Sequence, residues 1–279
     1  MPRCAAAALV LLATVAACTP SGATRDETAA AIARRAHLAP LIAKGDHFDL
    51  QLYRRDGSGS LFIYIEGDGF AFLDPRTPSS DPTPLEPLAL ELAATDPAPA
   101  VLYIGRPCQF APGRSDPRCA IEDWTDARFS RGAILAIDQA IDSVVGPNPH
   151  RPLVLIGYSG GGVVAALIAA HRKDVALLIT VAAPLDLDEW ARRMDLAPLS
   201  GSLSPLEGRG NLARTPQIHF AGGHDTIVPV DVTRKGAEQL MPPKSGQMIV
   251  LPEFDHRCCW VRDWPALRGA ALHTAANAP

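Results

Sequence analysis

A serine flanked by glycines is the part of this chain best suited to chemistry. Residues 153–166 read Leu-Val-Leu-Ile-Gly-Tyr-Ser-Gly-Gly-Gly-Val-Val-Ala-Ala, which sets Ser159 in a Gly157-x-Ser159-x-Gly161 pattern. The apolar run before it predicts a parallel strand buried on both faces, and the Ala-rich run after it predicts a helix. Glycines permit a strand-to-helix turn so tight that side chains there would meet neighbouring backbone. Such a turn lifts Ser159 above the sheet edge at the start of a helix. Free backbone N–H groups and the positive end of the helix lie close by, where an oxyanion would need them. A serine hydroxyl is a poor nucleophile near neutral pH. It needs a base to take its proton and an acid to orient that base.

Both are expected beyond the carboxyl ends of other strands. Gly222-Gly223-His224-Asp225-Thr226-Ile227-Val228-Pro229 follows the apolar run 217–221, and Phe254-Asp255-His256 follows 247–251. Ser159, Asp225 and His256 therefore stand in the chain order nucleophile, acid, base. Asp186 and Asp188 compete with Asp225, and the Gly-Gly-His-Asp-x-x-Val-Pro context favours Asp225. His273 competes with His256 but falls within a helical run, far from a strand end. A fourth strand end, Glu66-Gly67-Asp68-Gly69, stands where an oxyanion loop would lie. The N–H of Asp68 would pair there with that of Gly160, and one such donor is worth roughly 10²–10³ in rate. The carboxylates of Glu66 and Asp68 would oppose a developing negative charge unless turned away or paired. Arg106 ends a strand expected to neighbour 61–65, so it is expected to pair with Glu66 or Asp68.

The elements that must position these groups follow from pattern. Strands are expected at 47–53 (an alternating antiparallel edge strand), 61–65, 101–104, the apolar run from 153 that leads into Gly157, 175–181, 217–221 and 247–251. Helices are expected at 27–36, 85–94, 129–145, from the serine turn to about 171, at 231–240 and at 260–272. Residues 75–87 are crowded with proline and serine and predict loop. Residues 184–214 predict a small cap excursion over the sheet. This alternation predicts an α/β fold: a mostly parallel central sheet with helices on both faces. The 279 residues, 47% of them hydrophobic, suffice for one large core.

The first 17 residues read as an export signal: Arg3, then an apolar stretch from Ala5 to Ala16 too short to span a bilayer. Val15-Ala16-Ala17-Cys18 resembles a bacterial lipobox, in which Cys18 becomes the acylated first residue and holds the chain to a membrane. An ordinary cleaved signal with a chance cysteine is the alternative. Residues 18–45 then read as a tether and one helix, and 46–279 as the main domain. Thr19, rather than Asp, implies the outer membrane, facing the periplasm of a bacterial envelope. Four cysteines remain, Cys108, Cys119, Cys258 and Cys259, and allow three pairings. Cys108–Cys119 with Cys258–Cys259 is preferred; reduced Cys258 and Cys259 that merely fill space are the alternative. The formal charge of −4 argues against a general nucleic-acid partner. His224-Asp225 lacks tetrahedral metal-ligand spacing, and Gly160-Gly161-Gly162 lacks the Lys-Ser/Thr of a phosphate loop, so neither metal nor cofactor is expected. Arg192, Arg193, Arg209 and Arg214 predict a solvated face, or less simply a site for an acidic substrate.

The chain resembles the α/β-hydrolase superfamily over nearly all of its length after Cys18. More narrowly, it is similar to a group of bacterial lipoprotein α/β-hydrolases. The residues that carry this are Tyr64-Ile65-Glu66-Gly67-Asp68-Gly69, Ser80-Asp81-Pro82-Thr83-Pro84, Arg106-Pro107-Cys108-Gln109, Trp124-Thr125, Arg128-Phe129-Ser130 and His256-Arg257-Cys258-Cys259-Trp260. The narrower resemblance implies no known substrate; the leading reading of the residues is a serine hydrolase that cleaves small-molecule carboxylic esters through an acyl-enzyme, with Tyr158, Gly67 and Gly69 in support. Thioester, amide or acyl-transfer chemistry on the same three residues is the nearest alternative. A lipid-anchored binding protein without turnover is the alternative of a different class.

Overall fold

The computed structural model describes residues 19–146, 151–208 and 210–276. Cys4, Cys18, the signal segment and Arg209 lie outside the described residues. An eight-stranded sheet runs through the molecule in the order β1 (Ala39–Ala43), β2 (Leu50–Arg55), β6 (Val101–Ile104), β3 (Leu61–Ile65), β7 (Leu153–Tyr158), β8 (Val175–Val181), β9 (Gln217–Gly222), β10 (Gly246–Leu251). β2 is antiparallel to both of its neighbours, while β6 through β10 are mutually parallel. A two-stranded hairpin, β4 (Phe72–Asp74) with β5 (Thr77–Pro78), stands apart from it.

Alternate residues of each central strand feed two separate cores. Leu61, Ile63, Ile65, Leu153 and Leu155 pack with α4 (Arg131–Val145), α5 (Gly160–His171) and α7 (Val230–Leu240). Phe62, Tyr64, Val154 and Ile156 pack with α1 (Gly22–Arg35), α2 (Leu88–Thr95) and α8 (Trp260–Ala276). Both faces of the sheet are thus covered, which is why β3, β6 and β7 read as continuous apolar runs and not as alternating ones. Ser21 caps α1 and Ser130 caps α4, each accepting a backbone N–H. Two shorter helices, α3 (Phe110–Arg114) and α6 (Leu187–Arg193), lie in the connections.

Three local expectations are corrected. The antiparallel strand after residue 46 is not the edge: β1 pairs outside it, from Ala43 opposite Leu50 to Ala39 opposite Arg54. A five-residue strand that holds Pro40 and faces mostly solvent has no hydrophobic alternation to reveal it. The N-terminal helix starts at Gly22, five residues before its expected start, because the Ser21 cap draws it back. Part of the proline-rich loop forms the β4–β5 hairpin, where Asp74 accepts the N–H groups of Arg76 and Thr77. The stretch after β6 includes the helical turn α3. The 184–214 segment holds α6 and a 3-10 turn at Gly210–Arg214. It is fastened by Leu203 N–H to Phe129 O (3.0 Å) and by the Trp190 indole N–H to Ile227 O (2.8 Å).

Candidate active site

The turn between β7 and α5 leaves no room for side chains. A methyl group at residue 157 would overlap the Gly161 carbonyl, and one at 161 would overlap the Ile65 carbonyl. Ser159 itself is held at φ 51°, ψ −124°, a conformation costing on the order of 1–3 kcal/mol for a residue with a side chain. Its N–H donates to Val181 O at 2.8 Å and its C=O accepts from Gly162 N–H at 2.9 Å, so both neighbouring elements hold the turn in place.

Three strand ends converge on this serine. Ser159 Oγ lies 3.1 Å from His256 Nε2, and His256 Nδ1 lies 2.8 Å from Asp225 Oδ2. The other Asp225 oxygen accepts the N–H groups of Ile227 (2.9 Å) and Val228 (2.7 Å), and the carboxylate is buried. Those two bonds aim one carboxylate oxygen at the imidazole and keep it there. His256 follows β10, and its carbonyl accepts the Tyr158 hydroxyl (3.0 Å) and the Trp260 indole N–H (3.1 Å). Asp186 instead caps α6 by accepting Glu189 N–H at 3.0 Å. His273 lies in the last turn of α8.

The loop after β3 lies against the start of α5. A side chain at residue 160 would collide with the Asp68 carboxylate. Neither Gly160 N–H nor Asp68 N–H donates to any acceptor among the described residues. Gly67 passes the Tyr158 ring closely, and Gly69 has φ +68°. Gln109 grips this loop, donating from Nε2 to Gly67 O and accepting the Arg106 N–H, both at 3.0 Å.

The two acidic groups beside the loop are disposed differently. Arg106 pairs with Asp68 (Nη1–Oδ1, 3.2 Å), as one of the two expected partners, and Arg128 pairs with the other oxygen (Nη1–Oδ2, 2.7 Å). Burial alone would raise the Asp68 carboxyl, but Arg128 and Arg106 outweigh it and hold the group below the usual carboxylate range. One negative charge therefore faces two positive ones, so the cluster does not oppose a nearby oxyanion. Glu66 forms a hydrogen bond to neither arginine. It accepts Gly67 N–H (2.9 Å), Ala89 N–H at the start of α2 (3.3 Å) and the Tyr103 hydroxyl (3.1 Å). Burial pushes its carboxyl up to about 7, the backbone and Tyr103 bonds pulling the other way.

Sequence reasoning assigned no role to Arg128, Gln109, Tyr103 or Trp260. Arg128 stands 60 positions from Asp68, and its guanidinium also lies over the Phe72 and Trp190 rings. Only the meeting of several loops brings these groups together. Cys108 is bonded to Cys119, with Cα atoms 5.7 Å apart, and Cys258 to Cys259.

The same architecture is found in many solved structures. Est1E from Butyrivibrio proteoclasticus is 15% identical, covers 85% of this chain and 99% of its own, and superposes with a TM-score of 0.61. The α/β hydrolase GrgF from Penicillium sp. sh18 is 13% identical, with coverages of 86% and 98% and a TM-score of 0.62. An alpha-beta serine hydrolase homologue from Coxiella burnetii is 16% identical, with coverages of 84% and 95% and a TM-score of 0.56. No protein-family model and no curated protein matches the chain. The eight-stranded, mostly parallel sheet covered on both faces has the α/β-hydrolase fold.

Proposed function

We propose that the protein is a serine hydrolase that cleaves carboxylic esters through an acyl-enzyme. The observation that carries this is the unbroken line from Ser159 Oγ through His256 to Asp225, at 3.1 and 2.8 Å, beside two unengaged N–H groups. Ser159 Oγ attacks the ester carbonyl carbon while His256 Nε2 takes its proton. The carbonyl oxygen becomes an oxyanion held by Gly160 N–H and Asp68 N–H. Asp225 keeps Nδ1 protonated and offsets the charge on the imidazolium. The tetrahedral species collapses, the C–O bond to the alcohol breaks, and His256 returns the proton to the leaving alkoxide. Water then attacks the acyl-enzyme by the same steps in reverse roles, releasing the acid and free Ser159.

A fluorophosphonate probe and a short-chain aryl ester test this reading. The native protein is expected to form a covalent adduct at Ser159 and to turn over the ester. Ser159→Ala is expected to lose the adduct and roughly 10⁴–10⁶ of kcat. Equal labelling of both proteins would end the proposal.

We also infer that Cys18 carries an acyl anchor and that the mature chain sits in a bacterial cell envelope, on the outer membrane facing the periplasm. The support is the Val15-Ala16-Ala17-Cys18 sequence and the apolar stretch before it. Mass analysis of the N-terminal peptide tests it: an acylated Cys18 is expected, and an unmodified one rejects the anchor.

A further inference from the structure

The large apolar side chains that stay exposed among the described residues are Ile42, Leu73, Ile121, Leu203 and Ile227. Scattered singly, such residues carry no meaning. Here all of them lie at one end of the molecule, the carboxyl end of the parallel strands. Leu73 is in the β4–β5 hairpin that follows the Asp68 loop. Ile227 is two residues beyond Asp225, which accepts its N–H. Leu203 donates its N–H to Phe129 O, next to the Arg128 that reaches Asp68. Ile121 opens the 3-10 turn Ile121–Trp124, whose indole N–H bonds to Ser79 O just past the hairpin. Ile42 stands near the end of β1, where Ala43 faces Leu50, beyond the Leu52–Ile104 pair that closes β6. The opposite end carries Arg151, Arg172, Lys173 and Asp174 and exposes no large apolar side chain among the described residues.

The chain also enters the fold at the apolar end. Arg25, in the first turn of α1, donates to the carbonyls of Asp81 and Thr83, and the Pro82 carbonyl between them accepts Phe70 N–H, two residues from Asp68. Only Thr19 and Pro20 separate Cys18 from the Ser21 cap, a reach of about 10 Å when extended. A tether that short cannot bring an anchor at Cys18 round to the opposite end.

We propose that this rim is a membrane-docking face, seated on a lipid bilayer so that Ser159 meets ester-bearing lipids within it. The choice of substrate rests on the hydrolase reading above, and the tether on acylation of Cys18; the segregation of apolar side chains stands apart from both. Ile42, Leu73, Ile121, Leu203 and Ile227 then form an apolar collar that enters the outer part of the acyl layer.

The full-length protein bound to phospholipid vesicles provides the test, with an environment-sensitive fluorophore on Leu73→Cys or, at the opposite end, on Ala176→Cys. The label at 73 is expected to shift to the blue and be quenched by brominated lipid, and the label at 176 to do neither. Equal responses at the two sites overturn the proposal. So does a blue shift at 73 without vesicles, which would mean that the N-terminal segment or a second copy covers the rim. Leu73→Asp with Leu203→Asp is expected to slow cleavage of a bilayer-embedded ester by about tenfold while a water-soluble ester is cleaved as before. Unchanged cleavage of the embedded ester also overturns it. If no ester is cleaved by the native protein yet the label at 73 is quenched, docking stands and the hydrolase reading falls.

Discussion

Asp68 is the residue whose placement decides whether the oxyanion loop can work. Its carboxylate lies where a side chain at position 160 would otherwise be, and it would repel a developing oxyanion were it alone. Arg106 and Arg128, both buried, bind one oxygen each. The arrangement also fixes the backbone N–H of residue 68 relative to Gly160. Asp68→Asn leaves two guanidinium groups without a counter-charge, and breaking a buried pair in this way costs about 3–5 kcal/mol. The variant is expected to lose that much unfolding free energy, seen as a lower urea midpoint, and to be impaired in kcat more than in KM. Urea melts and steady-state kinetics check the two halves. Native stability in Asp68→Asn would show that the arginines do not depend on it.

The strand β7, its turn and α5 act as a unit, because every small residue in the turn is closely approached by backbone or side-chain atoms of a neighbour. Gly161 faces the Ile65 carbonyl and Gly162 the Ala183 methyl. Gly161→Ala is therefore expected to push β3 and α5 apart, with a loss of about 1–3 kcal/mol and of activity together, read by denaturant melts and ester turnover. A neutral outcome would mean that the turn is softer than its contacts indicate. The 105–130 connection is fastened by another means. Cys108–Cys119 closes a short loop that carries Gln109, which holds Gly67 and accepts the Arg106 N–H. Replacing both cysteines by serine is expected to cost about 2–3 kcal/mol by loop entropy. Activity should fall with it, because the loop positions two groups that touch the oxyanion segment. Equilibrium unfolding of the double variant measures the first effect.

Across the whole molecule, stability should carry the signature of one buried acid. Glu66 sits between the oxyanion loop and the start of α2, and burial raises its carboxyl from 4.5 to about 7. The raised value means that the fold favours the protonated form. Between pH 4.5 and pH 7 the unfolded chain has released this proton while the folded chain keeps it. Stability from this group therefore falls as pH rises through that window, by about 3 kcal/mol in total, and stays low above it. Glu66→Gln keeps an oxygen for Gly67 and Ala89 N–H and cannot titrate. Its melting temperature is expected to lose that decline, so that the variant gains on the native protein between pH 5 and 8. Parallel melting curves for the two proteins over this range would remove the assignment. Asp68 works in the opposite sense: its depressed carboxyl contributes stability that is present above the ordinary carboxylate range and lost on acidification.

The parallel core of the sheet, the serine turn and the Ser159, Asp225, His256 set were legible along the chain. Long apolar runs report burial on both faces, and Gly-x-Ser-x-Gly reports a turn that tolerates only small residues. These are local properties, written in neighbouring residues. The edge strand β1 and the β4–β5 hairpin were not legible, because short strands facing solvent have no hydrophobic pattern to show. The clamp on Asp68 was half legible. Strand adjacency pointed to Arg106, whereas Arg128 arrives from a loop 60 positions away, and no periodicity records that approach. The segregation of exposed apolar side chains to one rim likewise exists only after folding. Residues 42, 73, 121, 203 and 227 share no spacing, and they lie at one end because β1 ends there just past Ile42 and the parallel strands deliver their following loops there.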